Sequence, residues 1–131
     1  MAKKKVLLVD DSATIRAAVC PLFDSHPHFE VVGEAEHGRE AIEKAPKLRP
    51  DLVILDLTMP VMGGLEAAPL LIEILPEVWL ILFTAHDLPG LERLSRAAGI
   101  HIVVPKHKAA TNLIAQAEAL VAQSALRKGV S

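Results

Sequence analysis

The sequence predicts an α/β fold: a doubly wound sheet of five parallel strands in the order 2-1-3-4-5. Three observations carry that expectation. Val6–Val9, Leu52–Leu55 and Trp79–Phe83 are short runs apolar at every position, as in strands covered on both faces of a parallel sheet. Stretches with helical spacing alternate with them over short links, so right-handed crossovers place helices on both faces. Two further runs, Phe29–Ala35 and Ile100–Val104, are broken by glutamates and by His101 respectively, which suits the two edges. All 131 residues are expected in a single domain, with its core at about 5–126.

Each element has its own signal. After Val6–Val9, Ser12 is placed to cap a helix whose apolar positions Ile15, Val19, Leu22 and Phe23 follow helical spacing. Pro21 predicts a bend or an early end there. Gly38 opens a second helix, with Ala41, Ile42, Ala45 and Leu48 inward and Pro46 loosening its last turn. Leu65–Leu75 reads as the third helix, with Pro69 tolerable only near its first turns. Pro89 is placed to start a fourth, carrying Leu91, Leu94 and Ala98 and closed by Gly99. Pro105 removes a donor at the end of the fifth strand, which an edge strand tolerates. Ala109–Leu126 is the last helix, with Leu113, Ala117, Leu120 and Val121 inward, and Arg127–Ser131 is expected to fray.

Composition narrows the function. A net charge of −2 gives no argument for nucleic acid or an anionic membrane surface. No apolar run is long enough for a membrane span. One cysteine, Cys20, excludes an internal disulfide and suits a reducing cytoplasm. Cys20 and Trp79 read as packing residues. The six histidines have no ligand spacing, and no GxGxxG or GxxxxGK[ST] loop occurs.

The chemistry gathers at the carboxyl ends of the strands, where open parallel sheets bind ligands beside a topological switch point. Asp10 and Asp11 follow the first strand, Asp56 the third, Thr84 the fourth and Lys106 the fifth. Three acids at one sheet edge repel one another unless a cation joins them. Mg²⁺, a hard ion that takes oxygen ligands and shares phosphates, fits such a site. A carboxylate can also attack phosphorus, and that chemistry needs a metal, an opposing cation and a hydroxyl.

These residues resemble the receiver domains of two-component response regulators, whose flavodoxin-like (βα)5 fold agrees with the strand order. The likeness spans Lys5 to about Leu126. It rests on Val9-Asp10-Asp11-Ser12, on Pro50-Asp51-Leu52 leading to Asp56-Leu57-Thr58-Met59-Pro60, and on Gly64, Thr84-Ala85 and Lys106. The resemblance implies that Asp56 is the phosphoacceptor, and that Asp11 and Asp56 bind Mg²⁺ with the Thr58 carbonyl, assisted by Asp10. It implies that Thr84 binds a phosphoryl oxygen on activation and that Lys106 pairs with the phosphate or, before it, with Asp56. It makes Thr58 and His86 tuners of phosphoryl lifetime. A histidine kinase or histidine phosphotransfer protein would be the donor. A homodimer or a downstream protein would meet the fourth helix, fifth strand and fifth helix. The stretch Phe29–Glu36 is similar to receivers of regulators with helix-turn-helix outputs, standing alone or within a longer regulator.

Three positions depart from the pattern. Val103 stands where an aromatic is frequent, His107 where proline commonly follows the lysine, and Gly63 where Asp or Asn precedes the glycine. Two other readings are weighed: an interaction module that takes no phosphate, and a small Asp-nucleophile phosphatase. Asp56-Leu57-Thr58 lacks the second acid such phosphatases use, and a flavin carrier would need a phosphate loop.

Overall fold

The computed structural model describes residues 2–130. Its five strands are β1 (Lys4–Val9), β2 (Phe29–Ala35), β3 (Leu52–Leu55), β4 (Trp79–Thr84) and β5 (Ile102–Pro105). Between and after them come α1 (Ala13–Asp24), α2 (Gly38–Leu48), α3 (Gly64–Ile74), α4 (Leu91–Ala97) and α5 (Ala110–Val130). The strands form one parallel sheet in the order β2-β1-β3-β4-β5. The expected fold is the observed one.

Alternation along each strand divides the interior in two. Leu7, Val9, Val53, Leu55, Leu80 and Leu82 face α2 and α3, where Ala41, Ala45, Ala67 and Ala68 let the helices approach the sheet closely. Val6, Leu8, Leu52, Ile54, Ile81 and Phe83 face α1 and α5 through Val19, Phe23, Leu113 and Ala117. Each fully buried Leu, Ile or Phe stabilises the fold by about 2 kcal/mol relative to exposure.

Register sets the level at which each strand ends. Val9 is opposite Leu55, Leu55 opposite Leu82, and Thr84 opposite Pro105. One bulge, between Val6 and Leu7 in the β1–β2 pairing, brings Ala35 level with Val9. The next residues, Asp10 and Asp56, therefore leave the sheet side by side.

Several elements differ from the sequence expectation. α1 continues through Pro21 to Asp24, whereas α2 runs from Gly38 to Leu48 with Pro46 in its last turn, as expected. Pro69, the sixth residue of α3, sits in its second turn, near the helix start where it is tolerable. All three prolines are exposed, so water can reach the carbonyls they leave without a partner. Leu22 and Leu94 belong to the apolar helical pattern but are 38% and 54% exposed, because each helix buries only a narrow stripe. α4 starts at Leu91, with Gly90 in the left-handed region before it, instead of at Pro89.

β5 begins at Ile102, and β1 includes Lys4 and Lys5, whose backbone amides bond to the His28 carbonyl and Asp51 Oδ2. The C-terminal stretch does not fray at Arg127. The Arg127 guanidinium lies 3.5 Å from the centroid of the Trp79 ring, and Trp79 Nε1 donates to Ser124 Oγ at 2.8 Å. Those contacts extend α5 to Val130; Ser131 lies outside the described residues.

Two histidines have structural roles that their spacing did not reveal. His37 Nδ1 caps α2 by accepting from the Glu40 amide at 3.1 Å. His101 Nδ1 accepts from the Leu80 amide at 3.1 Å, and its ring meets Trp79 edge-on. Burial, and to a lesser degree the Arg127 charge, lower the His101 pKa below its ordinary value.

Candidate functional site

The ends of four strands converge at the switch point between β1 and β3. Asp10 directly follows β1 and is 1% exposed; its amide donates to the Ala35 carbonyl at 3.0 Å. Asp10 Oδ1 accepts from the Ser12 amide at 2.9 Å, and Ser12 Oγ then caps α1 by accepting from the Ile15 amide. The cap and the buried acid are thus one turn. Asp11 between them is exposed and points no side-chain hydrogen bond at another described residue.

Asp56 directly follows β3, its amide held by the Val9 carbonyl at 3.0 Å and its side chain nearly buried. Asp56 Oδ1 accepts from the Leu57 amide at 2.8 Å, which aims Oδ2 across to the neighbouring strands. The following loop has to turn back beneath this acid at once. A Cβ on Gly64 would lie 2.4 Å from the Asp56 carbonyl oxygen, and one on Gly63 would lie 2.6 Å from that of Leu57. Both glycines are needed for that approach, which gives a physical reason for Gly63 where the resemblance suggests an acid or amide. Val61, at the outer bend, takes φ +67, a conformation disfavoured for a β-branched residue.

Lys106 reaches in from the far side. Its Nζ is 2.7 Å from Asp10 Oδ2 and 3.3 Å from Asp56 Oδ2. Its backbone amide donates to the Thr84 carbonyl at 2.8 Å, which ties the ends of β4 and β5. The resemblance implies a pairing of this lysine with Asp56; the structure shares it between two acids and places it nearer Asp10. Thr84 is buried, and its Oγ1 accepts from the His86 amide at 3.1 Å. His86 itself is exposed. Thr58, two residues beyond Asp56, is exposed as well, and among the described residues no hydrogen bond uses its carbonyl.

Three carboxylates supply one oxygen each, all within 4.8 Å of one another, from Asp10, Asp11 and Asp56. Hard oxygen donors gathered this closely are the kind that a single Mg²⁺ would take. The donors are all hard oxygens, and the exposed Asp11 leaves the cluster open to solvent. The residues present fit a divalent cation of this class. Burial is the largest influence on Asp56 and raises its pKa; Lys106 opposes that effect and the Asp10 charge adds to it.

A cavity of about 460 Å³ lies next to this cluster, between the loop after β4 and the loop after β5. Thr84, Leu88, Leu91, Val103 and Pro105 line it. Val103 is half-buried and packs toward α4 without filling that space.

One further residue was missed from sequence. Arg16, one turn into α1, donates from Nη1 to the Asp10 carbonyl and from Nε to Glu34 Oε1 at 2.9 Å. Nothing in its spacing marks it; the contact depends on the register that brings the end of β2 beside Asp10.

The sequence matches the family model described as "Response regulator receiver domain" over residues 6–118. A protein-glutamate methylesterase/protein-glutamine glutaminase from Syntrophomonas wolfei is 39% identical over 99 residues, covering 74% of this chain and 27% of that protein. The chain spans only 17–27% of the length of such curated relatives. Among solved structures, the response regulator domain of Thermotoga maritima CheB is 29% identical, with a TM-score of 0.82 over 90% of this chain and 96% of that one. A LuxR-family two-component response regulator from an Aurantimonas species is also 29% identical, with a TM-score of 0.86 over 92% of this chain and 86% of that one. The likeness therefore extends beyond one class of regulator.

Proposed function

Because this chain belongs to the response regulator receiver domain family, we propose that it takes a phosphoryl group on Asp56 and changes its partner-binding surface in response. The observation that carries this reading is the meeting of Asp10, Asp11 and Asp56 with Lys106 Nζ at the switch point. In the reaction an Asp56 carboxylate oxygen attacks phosphorus as the bond to the donor breaks. The leaving group, a phosphohistidine imidazole or the acetate of acetyl phosphate, departs with the electron pair. An aspartyl-phosphate results.

The residues of this chain supply the parts. Asp56 is the nucleophile, held in place by the Val9 carbonyl and the Leu57 amide. Lys106 is the cation that faces it and follows the charge onto the phosphate. Asp10, Asp11, Asp56 and the Thr58 carbonyl would hold Mg²⁺. When bound, the ion offsets the negative charge of the cluster and of the incoming phosphoryl group. Thr84 Oγ1, which accepts from the His86 amide, then donates its own hydroxyl hydrogen to a phosphoryl oxygen.

Movement of Thr84 has somewhere to go, because the adjoining cavity borders both the loop after β4 and Val103. Valine cannot swing as an aromatic does, so the signal passes to α4, β5 and α5 as a backbone shift. Leu88 and Leu94, 51% and 54% exposed, lie on that face. A second copy or a downstream protein would cover it. The donor is a histidine kinase or histidine phosphotransfer protein in the cytoplasm. No described helix is long and apolar enough to cross a membrane. The chain acts as a phosphoacceptor and not as an enzyme with a separate substrate.

Incubation with acetyl phosphate and Mg²⁺ tests the reading, since every reacting part resides in this chain. Intact mass spectrometry should show one added phosphoryl group, dependent on Mg²⁺ and removed by hydroxylamine as acyl phosphates are. A parent protein unmodified by excess donor and Mg²⁺ would instead favour an interaction module on the same fold.

A further inference from the structure

We infer that Arg16 is a positioning residue for the cation site, acting through the peptide that joins Asp10 to Asp11. This rests on the reading above, in which those acids hold Mg²⁺, and assigns a part to a side chain outside the acid–lysine cluster. Arg16 Nη1 donates to the Asp10 carbonyl, so the guanidinium grips the one peptide plane lying between two of the three carboxylates. Its Nε is bonded to Glu34 Oε1 at 2.9 Å, and Nη2 lies 3.9 Å from Glu36 Oε1. The Arg16 side chain is only 13% exposed. A guanidinium is planar and its donors point in fixed directions, so anchoring one edge to Glu34 fixes where the other edge points.

The anchor is itself restrained. Lys44 Nζ donates to the Glu34 carbonyl at 2.6 Å, and the Ala35 carbonyl one residue on accepts from the Asp10 amide. Asp10 is thereby fixed by its amide, by its carboxylate through Ser12 and Lys106, and by its carbonyl through Arg16. Among the described residues, Asp11 has no comparable side-chain partner. Its position relative to Asp10 and Asp56 depends on the peptide that Arg16 holds. Rotation of that peptide would swing the exposed carboxylate away from the other two oxygens without disturbing either core.

The experiment compares the parent with Arg16→Ala, Arg16→Lys and Glu34→Gln. Mg²⁺ binding is followed by titration of the rise in Tm, alongside amide exchange of Asp11 and Ser12 in metal-free protein. Arg16→Ala should raise the Mg²⁺ concentration needed for half the effect by about tenfold, as loss of a partner behind a metal ligand commonly does. It should also speed exchange at Asp11 and Ser12. Arg16→Lys keeps one donor and should recover part of both. Glu34→Gln keeps an acceptor for Nε and should fall nearer the parent. Labelling by acetyl phosphate should return to the parental level at high Mg²⁺ in Arg16→Ala. Unchanged Mg²⁺ response and unchanged exchange in Arg16→Ala would overturn the inference. So would a general loss of exchange protection across both cores, which would make Arg16 a fold residue. A parent protein whose Tm ignores Mg²⁺ would count against the cation site itself, whereas the metal-free exchange still reports whether Arg16 holds the peptide.

Discussion

Asp56→Asn is expected to abolish phosphoryl labelling and, in metal-free solution at neutral pH, to raise the Tm by a few degrees. The first effect follows from removing the nucleophile; an amide does not attack phosphorus under these conditions. The second follows from linkage. Burial, the leading cause, raises the Asp56 pKa in the folded protein. A raised carboxylate pKa means the fold favours the protonated acid. Its contribution to stability is therefore full below the unfolded pKa of about 4 and is lost as pH rises through the folded value. At neutral pH the ionised Asp56 costs stability that Asn does not. The Tm difference should shrink as pH falls toward 4, and Mg²⁺ should stabilise the parent more than the variant. Lys106 remains paired in the variant, because Asp10 Oδ2 is its nearer partner. Thermal melts over a pH series with and without Mg²⁺ check each part. A variant less stable than the parent at neutral pH without metal would contradict the assigned cause.

Lys106→Ala should have the opposite effect on stability and should also impair labelling severely. The lysine is the cation shared by two acids, and its side chain is 14% exposed against 2% and 9% for theirs. Removing one partner of a buried ion pair leaves the other charge uncompensated, at a cost of roughly 3 kcal/mol. For a domain of this size that is a fall in Tm of roughly 10 °C. Mg²⁺ should recover part of the loss, because it neutralises the same carboxylates. Melting curves with and without metal measure this directly. A Tm within a degree or two of the parent would mean that solvent already screens the cluster.

The strand order and the placement of the acids were legible because Val6–Val9, Leu52–Leu55 and Trp79–Phe83 are apolar at every position and stop on polar residues. That pattern depends on burial, which the chain records locally. The course of α1 past Pro21 was less legible. An exposed proline weakens a helix by the same local rule whether or not packing on the opposite face sustains it, and here packing does. α5 passes Arg127 because of a contact with Trp79, 48 positions earlier in the chain, that no local pattern records. The division of Lys106 between Asp10 and Asp56 was hidden for a similar reason: sequence places the lysine at a strand end but does not give its reach. Arg16 was silent because its partners come from the ends of β1 and β2. Only the bulged register of those strands brings Glu34 and the Asp10 carbonyl to the same guanidinium.

The central claim is that Asp56, and not either of its acidic neighbours, receives the phosphoryl group. Borohydride reduces an acyl phosphate to the alcohol and releases phosphate, converting a modified aspartate to homoserine. Protein treated with acetyl phosphate and Mg²⁺, reduced in this way and sequenced by tandem mass spectrometry should carry homoserine at position 56 alone. Homoserine at position 10 or 11, or unaltered aspartate at all three, would contradict the account.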